Sequence, residues 1–103
     1  MNKDVEIWRP LVTKYFGKET DNALRVMECE SQGDENAIGD GHLKFWKSGK
    51  EYGSSYGLFQ IRYLPGRPSP EWLLVPENNV QYAYQIFQAS KWSPWTCKRV
   101  LQA

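Results

Sequence analysis

The sequence lacks the excess of positive over negative residues that binding to nucleic acid or to an anionic membrane would require. Its 103 residues carry 13 Lys and Arg against 12 Asp and Glu. Because binding to a phosphate backbone needs clustered, unbalanced cations, we expect neither nucleic acid nor a membrane as partner. The N-terminal sequence MNKDVEIWRPLVTKYF also lacks the basic and then apolar order of a signal peptide. We therefore expect a soluble chain that is delivered by another system or belongs to a longer protein.

Histidine is also scarce, and the glycine patterns of nucleotide-binding sites are absent. His42 is the only histidine, and it stands in GDGH, a turn context rather than a nucleophile elbow. The glycines are scattered over turns, and none opens a helix directly after a strand. We therefore expect no cofactor, no metal site and no catalysis by His42.

Cysteine occurs only as Cys29 and Cys97, whose spacing fits neither a zinc site nor a CxxC motif. They could be two buried thiols or one disulfide, and we favour the disulfide. Such a bond would tie the C-terminal segment to the segment that carries Glu30, and by loop entropy it would contribute about 4 kcal/mol.

Aromatic residues, in contrast, are abundant. The length of the chain indicates one domain, residues 1–103, and we expect a monomer. Aromatic residues make up 15% of this domain. This is more than one modest core needs, so some rings should face a ligand. Trp46 and Tyr52, in a glycine-rich region, are the rings we expect to be exposed and to stack on that ligand. Burial under a small sheet is the alternative for the aromatic residues of this region.

Periodicity and turn residues indicate several helices and a small antiparallel sheet. Thr20 can cap a helix, and Pro76 opens the clearest amphipathic one. The predicted elements are helices at residues 10–16, 20–31 and 76–90, a short helix from Ser69, and a sheet within 37–63 that includes a strand at about 56–61.

One polar residue does not fit its place. Glu30 follows Met27 by three residues and Val26 by four, so at about 100° per residue it falls on the apolar face of the second helix. A buried carboxyl usually has a raised pKa, and a neutral carboxylic acid is what protonation of a glycosidic oxygen requires. The alternative is a structural glutamate paired with a base or with backbone donors.

Several short motifs follow Glu30 in a fixed order. They are the Glu30–Ser31 pair at a helix end, Ala37, the YGLFQI segment at 56–61, Pro76, Glu77 and Asn79 at a helix start, and WSPW before Cys97. Their order and spacing, from about Ala23 to Cys97, resemble the lysozyme-like superfamily, in particular its soluble lytic transglycosylase and goose-type lysozyme branch. The WSPW run is similar to that of small members found in phage tails and lytic modules.

The resemblance implies a lysozyme-like α+β fold in which the sheet and the helical lobe flank a glycan cleft. The partner would be the peptidoglycan strand, cleaved at the β-1,4 bond between N-acetylmuramic acid and N-acetylglucosamine, and the protein would act on the bacterial cell wall. Glu30 would be the proton donor. Gln60 would hydrogen-bond the sugar, and Ser55 or Tyr56 would face Glu30 from the strand.

The second catalytic group is less evident, because Ser55 stands where chicken-type lysozymes carry an aspartate. Glu30 could act alone, with a substrate group as internal nucleophile, which is the transglycosylase route. Asp40 or Glu51 could instead position a water for hydrolysis, unless both are plain surface residues. The third alternative is a module that binds glycan without cutting it, for instance a structural part of a phage tail.

Overall fold

Five helices supply most of the fold. The computed structural model of the protein describes residues 1–102. The helices are α1 (Lys3–Glu6), α2 (Arg9–Phe16), α3 (Thr20–Ser31), α4 (Pro70–Leu73) and α5 (Pro76–Ser90). A 3-10 turn at Gly17–Glu19 joins α2 to α3, and two others lie at Gly41–Leu43 and Thr96–Leu101. Within residues 1–102, no helix combines the length and the apolarity needed to cross a membrane.

The core lies between α2, α3 and α5. The apolar positions of α3 are fully buried, and on α5 Val80, Ala83 and Phe87 face inward while the glutamines face solvent. This is what the sequence predicts for both helices. The predicted cap of α3 is wrong, because the 3-10 turn before it runs directly into the helix. Thr20 is therefore its first residue, and its hydroxyl donates to the carbonyl of Gly17.

Two small antiparallel sheets follow α3, which with the helices confirms the α+β fold class. Strands β1 (Ile38–Gly39), β4 (Ser55–Tyr56) and β5 (Ile61–Arg62) form one sheet in the order β1-β4-β5. Strands β2 (Phe45–Lys47) and β3 (Lys50–Tyr52) form a separate hairpin. The register pairs Gly39 with Ser55 and Tyr56 with Ile61.

The segment at 56–61 is not the single strand that its sequence suggested. β4 ends at Tyr56, β5 begins at Ile61, and residues 57–60 form a tight turn between them. Leu58 and Phe59 are adjacent and both fully buried, so the alternation of a half-buried strand is absent. We call residues 57–60 the buried turn.

Gly57 is required at the start of the buried turn. Its φ is +79°, in the region that favours glycine. A Cβ atom there would stand 2.4 Å from Nδ2 of Asn79 and 2.8 Å from the carbonyl oxygen of Leu73. Any side chain would therefore displace Asn79.

The polar groups of the buried turn are satisfied by side chains from three separate elements. Asn79, fully buried on α5, accepts from the Phe59 amide at 2.8 Å and donates to the carbonyls of Tyr56 and Leu73 at 2.8 and 2.9 Å. Ser31, at the end of α3, donates to the Leu58 carbonyl at 2.7 Å. The indole of Trp95 donates to the Phe59 carbonyl at 2.9 Å. The turn thus joins α3, α5 and the C-terminal segment.

The C-terminal segment is also held covalently, because Cys29 on α3 and Cys97 form the predicted disulfide. The 3-10 turn Thr96–Leu101 packs along α3. The bond closes a loop with a sequence separation of 68 residues.

Replacing Asn79 by alanine should strongly destabilise the protein. The Phe59 amide and the carbonyls of Tyr56 and Leu73 would lose their partner, and each unsatisfied buried group costs about 1 to 3 kcal/mol. We expect the free energy of unfolding, measured in urea, to fall by about 3 kcal/mol or more. The control is Asn78→Ala, since Asn78 makes a comparable but exposed bond to Trp72. Equal small losses for both variants would contradict the assigned role of Asn79.

Opening the disulfide should lower the free energy of unfolding by about 4 kcal/mol, because the unfolded chain regains the entropy of a long loop. Urea unfolding of the wild-type protein with and without dithiothreitol measures this loss. The variant with both Cys29→Ser and Cys97→Ser serves as the control and should not respond to the reductant. An unchanged wild-type midpoint would contradict the expectation.

Candidate active site

Glu30 lies on the last turn of α3 and is half-buried. Its neighbour Ser31 is fixed to the buried turn by the bond to Leu58 described above. The end of the helix therefore cannot move independently of the sheet. This places the carboxyl group at the junction of the helical lobe and the sheet.

The C-terminal segment supplies a hydrogen-bond donor to Glu30. The backbone amide of Cys97 donates to Oε2 of Glu30 at 3.3 Å. The disulfide to Cys29, the residue just before Glu30, holds this donor in place. One carboxyl oxygen is thereby oriented by the backbone.

The pKa of Glu30 is raised above its ordinary value. Burial is the largest cause, because it disfavours the charged form, and the negative charge of Asp40 acts in the same direction. The Cys97 amide and the positive charge of Arg99 lower the pKa and offset part of this effect. The net result is that Glu30 keeps its proton to a higher pH than an exposed glutamate.

Glu30 opens into a cleft of about 310 Å³ between the sheet and the C-terminal segment. Both apolar and charged side chains line it. The lining residues are Glu30, Asp40, Leu43, Ser55, Gln60, Ile61, Arg62, Leu64, Arg67, Ile86, Pro94, Trp95 and Thr96. The volume is at the lower end of the range for ligand sites.

Two predicted residues meet on the sheet side of this cleft. The hydroxyl of Ser55 donates to Oδ2 of Asp40 at 2.5 Å. Asp40 has a φ of +58°, a backbone conformation uncommon for a residue with a side chain. A residue held in this region usually has a functional or structural reason. Here the conformation and the Ser55 bond together fix the Asp40 carboxylate at the cleft.

Gln60 lines the same cleft but uses its amide NH₂ group on the protein itself. Nε2 donates to the carbonyls of Ala37 and Gly57 at 3.1 and 3.0 Å. Gly39 allows this close packing, since a Cβ atom there would stand 2.4 Å from Oε1 of Gln60. Only the amide oxygen of Gln60 remains to accept a hydrogen bond from a ligand.

The other predicted site residues do not line the cleft. The side chain of Trp46 is 70% exposed, on the β2–β3 hairpin. Tyr52 is half-buried, with its ring between those of Phe45 and Tyr63. Tyr56 packs against the core.

Glu51, the other candidate for a second carboxylate, lies on the same hairpin. It forms an exposed ion pair with Lys44 at 3.6 Å. Only Asp40, of the two candidates, is among the residues that line the cleft.

Sequence reasoning missed two arginines of the cleft. Arg62 ends β5, and Arg67 lies in the loop after it. Neither occurs in a recognisable motif, and their presence at the cleft depends on strand pairing for Arg62 and on the path of the loop for Arg67. Trp95, the last residue of the WSPW run, also lines the cleft, although the motif by itself does not indicate a site residue.

The part of the chain that the structure describes contains no group of side chains suited to bind a metal ion. Within residues 1–102, no three His, Cys, Asp or Glu side chains are grouped so that they could hold an ion. The site is therefore described by its own carboxyl, amide and guanidinium groups.

Comparison with known proteins identifies the family of the chain. A family model described as a lysozyme-like domain matches residues 14–97. No curated protein matches the chain significantly. Since the matched region covers most of the sequence, the chain belongs to the lysozyme-like domain family, and this membership indicates glycan-cleaving activity in general.

Proposed function

We propose that the protein cleaves the β-1,4 bond between N-acetylmuramic acid and N-acetylglucosamine in peptidoglycan, with Glu30 as general acid. Residues 1–103 would act as one domain and as a monomer at the bacterial cell wall. Membership of the lysozyme-like family supports action on a glycan in general. The observation that carries the assignment of the acid is the half-buried carboxyl of Glu30 in the cleft, with its raised pKa.

Glu30 has the properties that protonation of a leaving oxygen demands. Burial raises its pKa, so the carboxyl group keeps its proton at a pH where an exposed glutamate has lost it. The Cys97 amide engages Oε2 alone. Oε1 has no hydrogen-bond partner among residues 1–102, and this oxygen can carry the proton toward the glycosidic bond.

Asp40 is the better candidate for the second group. It lines the cleft and its charge acts on Glu30, whereas Glu51 is paired with Lys44 on the hairpin. We propose that Asp40, oriented by Ser55, positions the water that attacks the sugar, which is the inverting route. Position 55 carries a serine and not a carboxylate, which favours a second route. In that route Glu30 acts alone, and an acetamido or hydroxyl group of the sugar displaces the leaving group.

The substrate contacts follow from what remains free on each side chain. The amide oxygen of Gln60 would accept a hydrogen bond from a sugar hydroxyl, because its NH₂ group is already used. Tyr56 packs against the core, and the hydroxyl of Ser55 lies on the sheet side of the cleft. Trp46 and Tyr52 lie outside it, so the proposal assigns them only to glycan that extends beyond the cleft.

Glu30→Gln should reduce the rate of muropeptide release by about a hundred- to ten-thousandfold, which is the usual contribution of a general acid. The amide can still accept from Cys97, so we expect the fold to be kept, as circular dichroism can check. Glu28→Gln is the matched control, since Glu28 lies on the same helix and contacts only the Asn2 amide. A fully active Glu30→Gln variant would end the proposal.

Mass spectrometry of the products released by the wild-type protein, in the same experiment, separates the two routes. Reducing ends indicate hydrolysis, as the route through Asp40 requires. Products lighter by one water, with a 1,6-anhydro end, indicate transglycosylation. If well-folded protein released nothing from several cell walls, a binding module would be the better interpretation.

Arg99→Gln should move the descending limb of the pH–rate profile to higher pH. The reaction needs protonated Glu30, so kcat/KM falls as the pH rises through its pKa, and the positive charge of Arg99 lowers that pKa. Without this charge the pKa rises and the proton is held longer. The measurement is kcat/KM on purified glycan strands over roughly pH 4 to 9.

Lys98→Gln is the control for this shift. Lys98 carries the same charge one residue earlier, and its ammonium group bonds to the Ser93 carbonyl. We expect the Lys98 variant to keep the wild-type limb. A limb that stays in place or moves to lower pH in Arg99→Gln would show that Glu30 does not control it.

A further inference from the structure

Arg62 and Arg67 reach the cleft with their guanidinium groups already fixed. Arg62 donates from Nε to the Gly53 carbonyl at 2.9 Å and from Nη2 to the Leu43 carbonyl at 3.1 Å. Arg67 donates from Nη1 to the carbonyl of Arg62 at 2.9 Å. Backbone acceptors thus hold both groups without neutralising them.

Neither arginine has an acidic partner in the part of the chain that the structure describes. The ion pairs within residues 1–102 are Arg9–Glu6, Arg9–Asp21, Lys14–Glu77 and Lys44–Glu51. Arg62 and Arg67 are nevertheless half-buried. Since partly desolvated charges are normally paired, two such unpaired groups in one cleft indicate a binding role for an anion.

The acids of the cleft leave this positive charge available. Glu30 is the proton donor in the proposed reaction and is neutral when it acts. Asp40 accepts from Ser55 and has no arginine within ion-pair distance among residues 1–102. A ligand that fills the cleft therefore meets Glu30 and also two cations whose remaining N–H groups have no partner among residues 1–102.

We propose that Arg67, supported by Arg62, binds a carboxylate of the glycan substrate and thereby selects acidic glycans over neutral ones. The proposal rests on the proposed function. A guanidinium group matches a carboxylate with two parallel hydrogen bonds, which gives both strength and direction. In peptidoglycan the carboxylate comes from the lactyl group of a peptide-free muramic acid or from a peptide stem, whereas oligomers of N-acetylglucosamine carry none.

Binding to the Glu30→Gln protein tests this, because the ligand is then not consumed. Isothermal titration would compare three ligands: the neutral N-acetylglucosamine tetramer, a peptide-free alternating tetrasaccharide with free lactyl carboxylates, and the same tetrasaccharide with peptide stems. Adding Arg67→Gln should lower the affinity for an acidic ligand by about ten- to a hundredfold and leave the neutral tetramer unaffected.

The two acidic ligands distinguish the sources of the carboxylate. In the peptide-bearing ligand the lactyl group is bonded to the peptide, so only stem carboxylates remain. A loss confined to the peptide-free ligand assigns Arg67 to the lactyl group, and a loss confined to the peptide-bearing ligand assigns it to the stem. Either result, or both together, supports the proposal.

Two further variants separate recognition from structural damage. Arg25→Gln removes an arginine that also bonds a backbone carbonyl, that of Val100, but lies on the exposed side of α3. It should bind all three ligands as before. Arg67→Lys keeps the charge without the planar fork, and it should recover only part of the lost affinity.

The proposal is overturned if Arg67→Gln weakens the neutral and acidic ligands equally, or weakens neither. In both cases glycan binding does not depend on a contact between Arg67 and a carboxylate. The proposed role of Arg67 then fails, while the proposed function is unaffected. If instead the wild-type protein releases no muropeptides and the Glu30→Gln protein binds none of the three ligands, the proposed function fails, and the role of Arg67 fails with it.

Discussion

The hydrogen bonds that side chains make to the buried turn at residues 57–60 hold the two halves of the fold together. A turn in the core cannot give its amide and carbonyl groups to water, so each must find a protein partner. Asn79, Ser31 and Trp95 provide these partners from three different elements. A local requirement of the backbone thereby fixes the relative positions of α3, α5 and the C-terminal segment.

The same bonds set the environment of Glu30, because Ser31 is its neighbour and Trp95 forms a wall of its cleft. The resulting environment is a balance of opposing effects. Burial raises the pKa of the carboxyl group, while the Cys97 amide and the charge of Arg99 limit the rise. Partial desolvation thus lets Glu30 keep its proton to higher pH, and the hydrogen bond to one oxygen fixes the orientation of the carboxyl group.

Sequence periodicity predicts α3 and α5 because their contacts follow a local repeat, and it identifies Glu30 as the residue that departs from this repeat. It fails at residues 56–61, where an apolar run suggests a strand but Gly57 and Gln60, both with positive φ, turn the chain back. Asp40 and Glu51 look equivalent in sequence, and only the pairing of β1 with β4 brings one of them to the cleft. Arg62 and Arg67 escape sequence reasoning for a similar reason, since the pairing of β4 with β5 places Arg62 and the loop after β5 places Arg67.

The contact between Glu30 and the Cys97 amide also orders the assembly of the site in time. The two groups are separated by 67 residues, so α3 leaves the ribosome well before its donor does. A chain that has folded only through α5 already carries the acid but lacks the amide, the disulfide and the Trp95 wall. All three belong to residues 95–97. The cleft is therefore complete only once this segment has packed against α3, and a nascent or incompletely oxidised chain carries an unfinished site.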